Sequence, residues 1–312
     1  MKQALFLFMI LATFGCKNEK NAGAEPADTK DTLAQQIPFV RPDIPALITE
    51  PKLRFEFLID HYWDRFDFSD TTYVPSPEVT EQAWVDYIDL LHRAPLEKAR
   101  KTLKAMLLKS AAGSKKHFRY FTEMADKYLY EPNSPVRNEE LYISVLEAMI
   151  ETPLLNDTEK MLPKHRLKNA YKNRVNTKAI DFQYTDRAGK TGALYRISAE
   201  YLLLFFNEPG CPSCKETIES IRRSPVMNVL ASEGRLKVLS VYTGEEVDEW
   251  KAHYGNYPAS WLNGYDRLQI IEARYDLRAI PTLYLLDGKK TVVLKDATFV
   301  QIENYLNSVK NS

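Results

Sequence analysis

Apolar positions along this chain recur with a helical period in its first half and with strand periods in its second. From about Ile37 to Asn176 they return every three or four residues, the spacing that lays one stripe along an α-helix. Leu53, Phe57, Leu58, His61 and Tyr62 share such a face, and Thr49 with Pro51 marks its start. Pro95 opens a segment in which Leu96, Ala99, Leu103, Met106 and Leu107 form a stripe closed by Gly113. Ser114 caps a third, with Phe118, Phe121, Ala125 and Tyr128 inward. Asn138 precedes a fourth carrying Leu141, Val145 and Met149, and Asp157 a fifth that runs to about Arg174. Pro-containing breaks such as Glu131-Pro132-Asn133-Ser134-Pro135 lie between them. The spacing predicts an all-helical domain of five or six helices over residues 37–176, without an internal repeat.

Around Lys178 the period changes. Ala179 to Tyr184 alternates like a half-buried strand, Asp186 to Gly189 offers a turn, and a second short strand is expected near Leu194. Leu202 to Phe206 is a continuous apolar run, as in a strand covered on both faces. A helix from about Pro212 to Leu230, a strand Leu236 to Tyr242, a helical region ending near Gly255 and a helix Asp266 to Tyr275 follow. Strands Leu283 to Leu286 and Thr291 to Leu294 flank the Asp287-Gly288 turn, before a last helix near Thr298. Strands alternating with helices predict an α/β domain over residues 178–312.

A chain of 312 residues, 45% hydrophobic and 27% charged, has room for roughly two globular domains. Lys+Arg and Asp+Glu both number 42, so no excess of cations points to a nucleic-acid partner. At the start, Lys2, the apolar stretch Ala4 to Phe14 and Gly15 before Cys16 read as a signal peptide, residues 1–16. Cys16 resembles the acylation site of bacterial lipoproteins, although Thr13 and Phe14 depart from the usual residues. That resemblance implies a lipid anchor at Cys16; a cleaved signal or an uncleaved membrane-proximal helix is the alternative. Residues 17–36, rich in Lys, Asn, Glu, Ala and Asp and free of aromatics, are expected to form a flexible tether. The run His61-Tyr62-Trp63-Asp64-Arg65-Phe66-Asp67-Phe68 holds more rings than one helical face accommodates. It is expected to fill the seam between the helical domain and its neighbour, with a partner-binding surface as the alternative.

The candidate chemistry is thiol chemistry. Cys211 and Cys214, in Cys211-Pro212-Ser213-Cys214, follow the apolar strand and open the next helix. There the leading cysteine meets unpaired backbone N–H groups and the positive end of the helix dipole, which favour its thiolate. With Cys16 acylated, these two thiols are the only pair left for an intramolecular disulfide, and an exported chain keeping two adjacent thiols is expected to use them for exchange. A closed zinc site needs four ligands and copper delivery usually adds a histidine. This domain has His253 alone besides the two cysteines, so no metal and no cofactor are expected. His61, His92, His117 and His165 are scattered along the helical part.

Residues 178–312 resemble a thioredoxin-like domain, with a central mixed sheet flanked by helices. The strand leading into the cysteine pair, the segment Tyr275-Asp276-Leu277-Arg278-Ala279-Ile280-Pro281-Thr282 and the closing hairpin before a last helix carry the resemblance. The added Gly244 to Gly264 region and the strands before Leu202 are similar to the periplasmic, membrane-tethered branch related to cytochrome-maturation thiol reductases. The helical part resembles a domain of unassigned function that precedes thioredoxin-like modules in lipoproteins of Gram-negative gut bacteria.

The resemblance implies a cis Ile280–Pro281 bond, with Ile280 and Pro281 as the edge on which a substrate peptide docks. It implies Cys211 as nucleophile and Cys214 as the thiol that resolves the mixed disulfide. Ser213 brings no cation to the pair, which favours a reductase or isomerase over an oxidase. The buried carboxylate that many thioredoxins place six positions before the first cysteine is Phe205 here. Glu208 and Glu216 are candidates for proton handling, with solvated surface carboxylates as the simpler reading. The implied partners are protein thiols and disulfides of the cell envelope, a membrane electron donor that recharges the dithiol, and the membrane itself through the anchor. The implied location is the periplasmic face of the envelope, the outer membrane ranking ahead of the inner. The competing reading is a binding or assembly lipoprotein whose dithiol senses oxidation or merely persists.

Overall fold

The helical stripes close around one core, and the strand pattern builds a sheet beside it. The computed structural model describes residues 39–74 and 77–310, so the expected signal peptide with Cys16 and the expected tether, residues 17–36, lie outside the described residues. Helices span Pro51–His61 (α1), Pro77–Arg93 (α2), Leu96–Gly113 (α3), Lys115–Ala125 (α4), Glu139–Glu151 (α5) and Met161–Ala170 (α6). Two starts coincide with the expected caps. Ser114 Oγ accepts from the Lys116 N–H at 3.2 Å and Asn138 Oδ1 from the Leu141 N–H at 3.1 Å, each filling an orphan donor of a first turn.

Three features of this half differ from the sequence expectation. The stripe of α1 holds in part: Tyr62 is buried and Leu58 packs on the core, whereas Leu53 is 49% exposed and Ile59, Trp63 and Phe66 extend the buried line. Helix α2, whose Ala83, Trp84, Tyr87, Ile88 and Leu91 are buried, is absent from the predicted elements. The segment after Asp157 becomes helical only at Met161, since Asn156 and Glu159 first close a reciprocal turn (2.8 and 2.9 Å). It ends before Arg174, and Asn173 turns to φ 48°.

The aromatic run lies inside the helical core and lines neither a seam with the sheet nor an open surface. Tyr62 stacks on Tyr87 at 5.1 Å, and Trp63 meets Phe121 edge-on at 5.1 Å and Phe66 at 5.4 Å. His61 is the exception, exposed and 2.6 Å from Asp64. Gly113 ends α3 where Phe68 crosses it, and a Cβ there would come within 2.6 Å of the Phe68 Cβ.

The second half forms a seven-stranded sheet. Its strands are Gln183–Asp186 (β1), Thr191–Ala193 (β2), Tyr201–Asn207 (β3), Leu236–Tyr242 (β4), Leu262–Tyr265 (β5), Thr282–Asp287 (β6) and Val292–Leu294 (β7). Helices Pro212–Arg223 (α7), Pro225–Ser232 (α8), Val247–His253 (α9), Ile271–Arg274 (α10) and Phe299–Val309 (α11) complete it. The order is β2-β1-β5-β4-β3-β6-β7, with β3, β4 and β5 parallel and the remaining pairs antiparallel. This is a thioredoxin-like fold, a mixed sheet with flanking helices preceded by a helical region.

Strand β3 runs through the middle and is covered on both faces. Leu202, Leu204 and Phe206 point to one core with Tyr284 and Leu286. Leu203 and Phe205 point to the other, with Ile218, Met227 and Ile302.

Several boundaries moved for identifiable reasons. Residues 179–182 are not a strand: the Ala179 N–H bonds the Lys290 carbonyl (2.8 Å) and the Ile180 N–H the Asn173 side chain (2.7 Å). Leu194 begins a 3₁₀ turn that follows β2. The helix expected from Pro212 to Leu230 breaks at Pro225, which has no N–H to continue the ladder, and Ser224 caps the new start. The helix expected from Asp266 forms only at Ile271, because Asp266 accepts from the Ile271 N–H (2.7 Å) and Gln269 takes φ 51°. Strand β5, inside the Gly244 to Gly264 region, is not among the predicted strands; its Asn263 and Gly264 break any apolar pattern. The helices and the sheet belong to one compact unit. Among the described residues no helix is long and apolar enough to cross a membrane.

Candidate active site

Strand β3 delivers the chain to the site at Asn207, which is buried where the apolar run ends. Its amide nitrogen donates to Ser240 Oγ (2.8 Å) and the Phe205 carbonyl (2.9 Å), and its oxygen accepts from the Tyr257 hydroxyl at 2.5 Å. Burial pushes the Tyr257 phenol up to about 12, so it remains a proton donor at neutral pH. Glu208, Pro209 and Gly210 then turn the chain, Gly210 at φ 75°, a backbone conformation that glycine adopts at little cost.

Cys211 is the cap of α7. The Cys214 N–H donates to Cys211 Sγ at 3.1 Å, and Pro212 occupies the first helical position, where its missing N–H costs nothing. The two cysteines form a disulfide with Cα atoms 5.2 Å apart, within the usual range for such bonds. Cys211 is partly exposed, whereas Cys214 is 3% exposed and packs in the core beneath the helix. When the bond opens, the same N–H and the helix dipole face a sulfur at position 211, an arrangement that stabilises negative charge there.

The Ile280–Pro281 bond is cis, and the Ile280 carbonyl oxygen lies 4.0 Å from Cys211 Sγ. Residues far apart in sequence, Cys211, Cys214, Ile280 and Pro281, therefore meet at one place. A cleft of about 640 Å³ opens beside the cysteines, and its walls include Glu208, Lys215, Arg222, His253, Asn256 and Tyr257. Glu208 borders this cleft and Glu216 does not; both are exposed. Phe205, at the position of the missing carboxylate, is fully buried against Trp261.

Sequence reasoning did not find Asn207, Tyr257, Lys215 or His253 as parts of this site. The only signal for Asn207 is a polar residue closing an apolar strand. The cleft wall comes from the added region after β4, whose sequence has no motif. Among the described residues no cluster of three or more His, Cys, Asp or Glu is placed to share a metal ion.

Residues 15–173 match a family described as a domain of unknown function, DUF5106. The crystal structure of a thioredoxin-like protein from Bacteroides caccae is similar at 51% identity over 87% of this chain and 98% of its own, with a TM-score of 0.84. The C-terminal domain of an uncharacterized protein from Bacteroides fragilis is 53% identical over 43% of this chain and 98% of its own, with a TM-score of 0.43. No curated protein matches the chain.

Proposed function

We propose, from the premise that this chain belongs to the DUF5106 family and to the thioredoxin-like proteins related to that of Bacteroides caccae, that it exchanges thiols and disulfides with exported proteins of the cell envelope. The observation that carries this reading is Cys211 Sγ at the start of α7, accepting from the Cys214 N–H, partly exposed, and beside the Ile280 carbonyl.

In the reduced protein the Cys211 thiolate attacks one sulfur of a substrate disulfide. The other substrate sulfur leaves as a thiolate and takes up a proton, and a mixed disulfide forms at Cys211. The Cys214 thiolate then attacks Cys211 Sγ and releases the second substrate thiol. Two electrons pass to the substrate, and the protein is left with the Cys211–Cys214 disulfide. Ile280 and Pro281 form the edge along which an extended substrate segment lies. The absence of a cation at Ser213 supports reductase or isomerase work over oxidation, and the cycle then requires an external dithiol donor at the membrane. The leader with Cys16 supports a lipid-anchored protein facing the periplasm.

Trapping tests the reading. Cys214→Ala expressed in the native cell and acid-quenched should carry substrate proteins on Cys211, released by reductant, whereas Cys211→Ser should carry none. A Cys214→Ala protein without adducts, together with a disulfide that does not equilibrate with thiol buffers in a redox titration, would favour the binding and assembly reading.

A further inference from the structure

The docking edge is held from outside the sheet. Arg278 stands two residues before Ile280, and its guanidinium lies 2.6 Å from Glu139 and 2.8 Å from Asp276. It also lies 4.2 Å from the ring centre of Tyr130. Glu139 sits in the first turn of α5, where the helix dipole favours a carboxylate, and takes a second cation, Lys295, at 2.6 Å. Lys295 donates in addition to the carbonyls of Ala170 (2.8 Å) and Lys172 (2.7 Å) at the end of α6.

Tyr130 is fastened in its turn. It closes a π-helical turn, Asp126–Tyr130, that continues α4, and its ring stacks on Tyr142 at 4.6 Å. Arg166 pairs with Asp126 at 2.9 Å and lies 4.3 Å from the Tyr130 ring.

These groups are largely withdrawn from water. The side chains of Arg278, Glu139, Asp276 and Lys295 are 13%, 19%, 10% and 4% exposed, so each ion pair keeps much of its strength. Both carboxylates meet the same terminal nitrogen, Nη2, and the Tyr130 ring lies beside the guanidinium centre, a flat contact that an ammonium would not make. These contacts hold the short chain from Arg278 to Ile280.

We propose that Arg278, gripped by Glu139 and Tyr130 of the helical region, is a positioning residue for the Ile280–Pro281 edge. The helical region thereby selects extended polypeptide segments, which need that edge, over small disulfides, which need only Cys211. The selectivity rests on the thiol-exchange reading, whereas the position of the loop can be measured without it.

The test uses Glu139→Gln in the full chain. With a disulfide-bonded protein such as insulin, KM should rise about tenfold with kcat little changed, while the rate with hydroxyethyl disulfide stays within about twofold. Amide exchange over residues 276–280 should quicken about tenfold while β3 and β4 keep their protection. Arg278→Gln should reproduce both effects, and Arg278→Lys, which keeps the charge and loses the flat guanidinium beside Tyr130, should restore part of the KM. Should Glu139→Gln fold poorly, the charge-balanced pair Glu139→Gln with Arg278→Gln gives the same readings.

Unchanged loop exchange with an unchanged KM would overturn the proposal, as would an equal loss with both disulfides accompanied by faster exchange throughout the sheet. A wild-type protein that reduces neither disulfide would defeat the thiol-exchange reading and the selectivity built on it. The exchange of residues 276–280 in the variants would still decide whether the helical region holds the loop.

Discussion

The two walls beside Cys211 are held by different physics. The cleft wall at His253 to Tyr257 is pinned by neutral hydrogen bonds, Tyr257 to Asn207 and Asn207 to Ser240, that lie within the sheet region. The edge at Ile280 and Pro281 hangs from ion pairs, Arg278 to Glu139 and Lys295 to Glu139, that reach into the helical region. Neutral bonds cost little to bury once both partners are present, and they ignore salt and pH until the phenol ionises. Ion pairs set a large desolvation cost against a large attraction and respond to any change in either charge. One wall is therefore an intrinsic part of the sheet region, and the other depends on residues more than a hundred positions away.

The largest effect that separates the walls is expected from Tyr257→Phe. It removes the donor to a buried amide oxygen and should cost about 1–3 kcal/mol in urea unfolding, equally at low and high salt. A loss that shrinks as salt rises would show that charge also holds this wall.

An effect no larger than this, and confined to acid pH, should come from Asp296, beside the ionic wall, where it pairs with Arg137 at 3.0 Å. Burial pushes its carboxyl up to about 6 from the usual 3.8, with Glu139 and Asp276 acting in the same direction and Arg137 and Arg278 opposing. The folded protein therefore holds this proton more tightly than the unfolded chain. The contribution of Asp296 is fully present below about pH 4 and is lost as pH rises through about 6. Asp296→Asn should remove that slope, so that the stability of wild type relative to the variant falls between pH 4 and pH 6 in thermal melts. Parallel curves across this window would contradict the assignment.

How far the site was legible in the sequence depended on how local its signals are. Cys211 and Cys214 stand at a strand-to-helix junction that the apolar run Leu202 to Phe206 and Pro212 mark. Ile280 and Pro281 stand before a second apolar strand. Tyr257 and Asn207 meet across fifty residues, and Arg278 and Glu139 across more than a hundred, and neither hydrogen-bonding capacity nor charge carries an address.

The aromatic run shows how a missed element hides a partner. Its rings require a second surface, and part of that surface is α2, with Tyr87 against Tyr62 and Trp63. The rest of the run packs on α4, where Trp63, Phe66 and Phe68 meet Phe121, so the rings find their partners within the helical half and not at a seam with the sheet. Interior breaks such as Pro225 and Gln269 were missed because each interrupts a run whose apolar spacing continues on either side.

The central claim, a thiolate stabilised at the start of α7, is tested most directly by the pH dependence of Cys211 alkylation in the reduced Cys214→Ala protein. The account predicts a midpoint at least one unit below the value of about 8.5 for a free cysteine, with full modification in the folded state. A midpoint at or above that value, or a Cys211 that reacts only after unfolding, would contradict it.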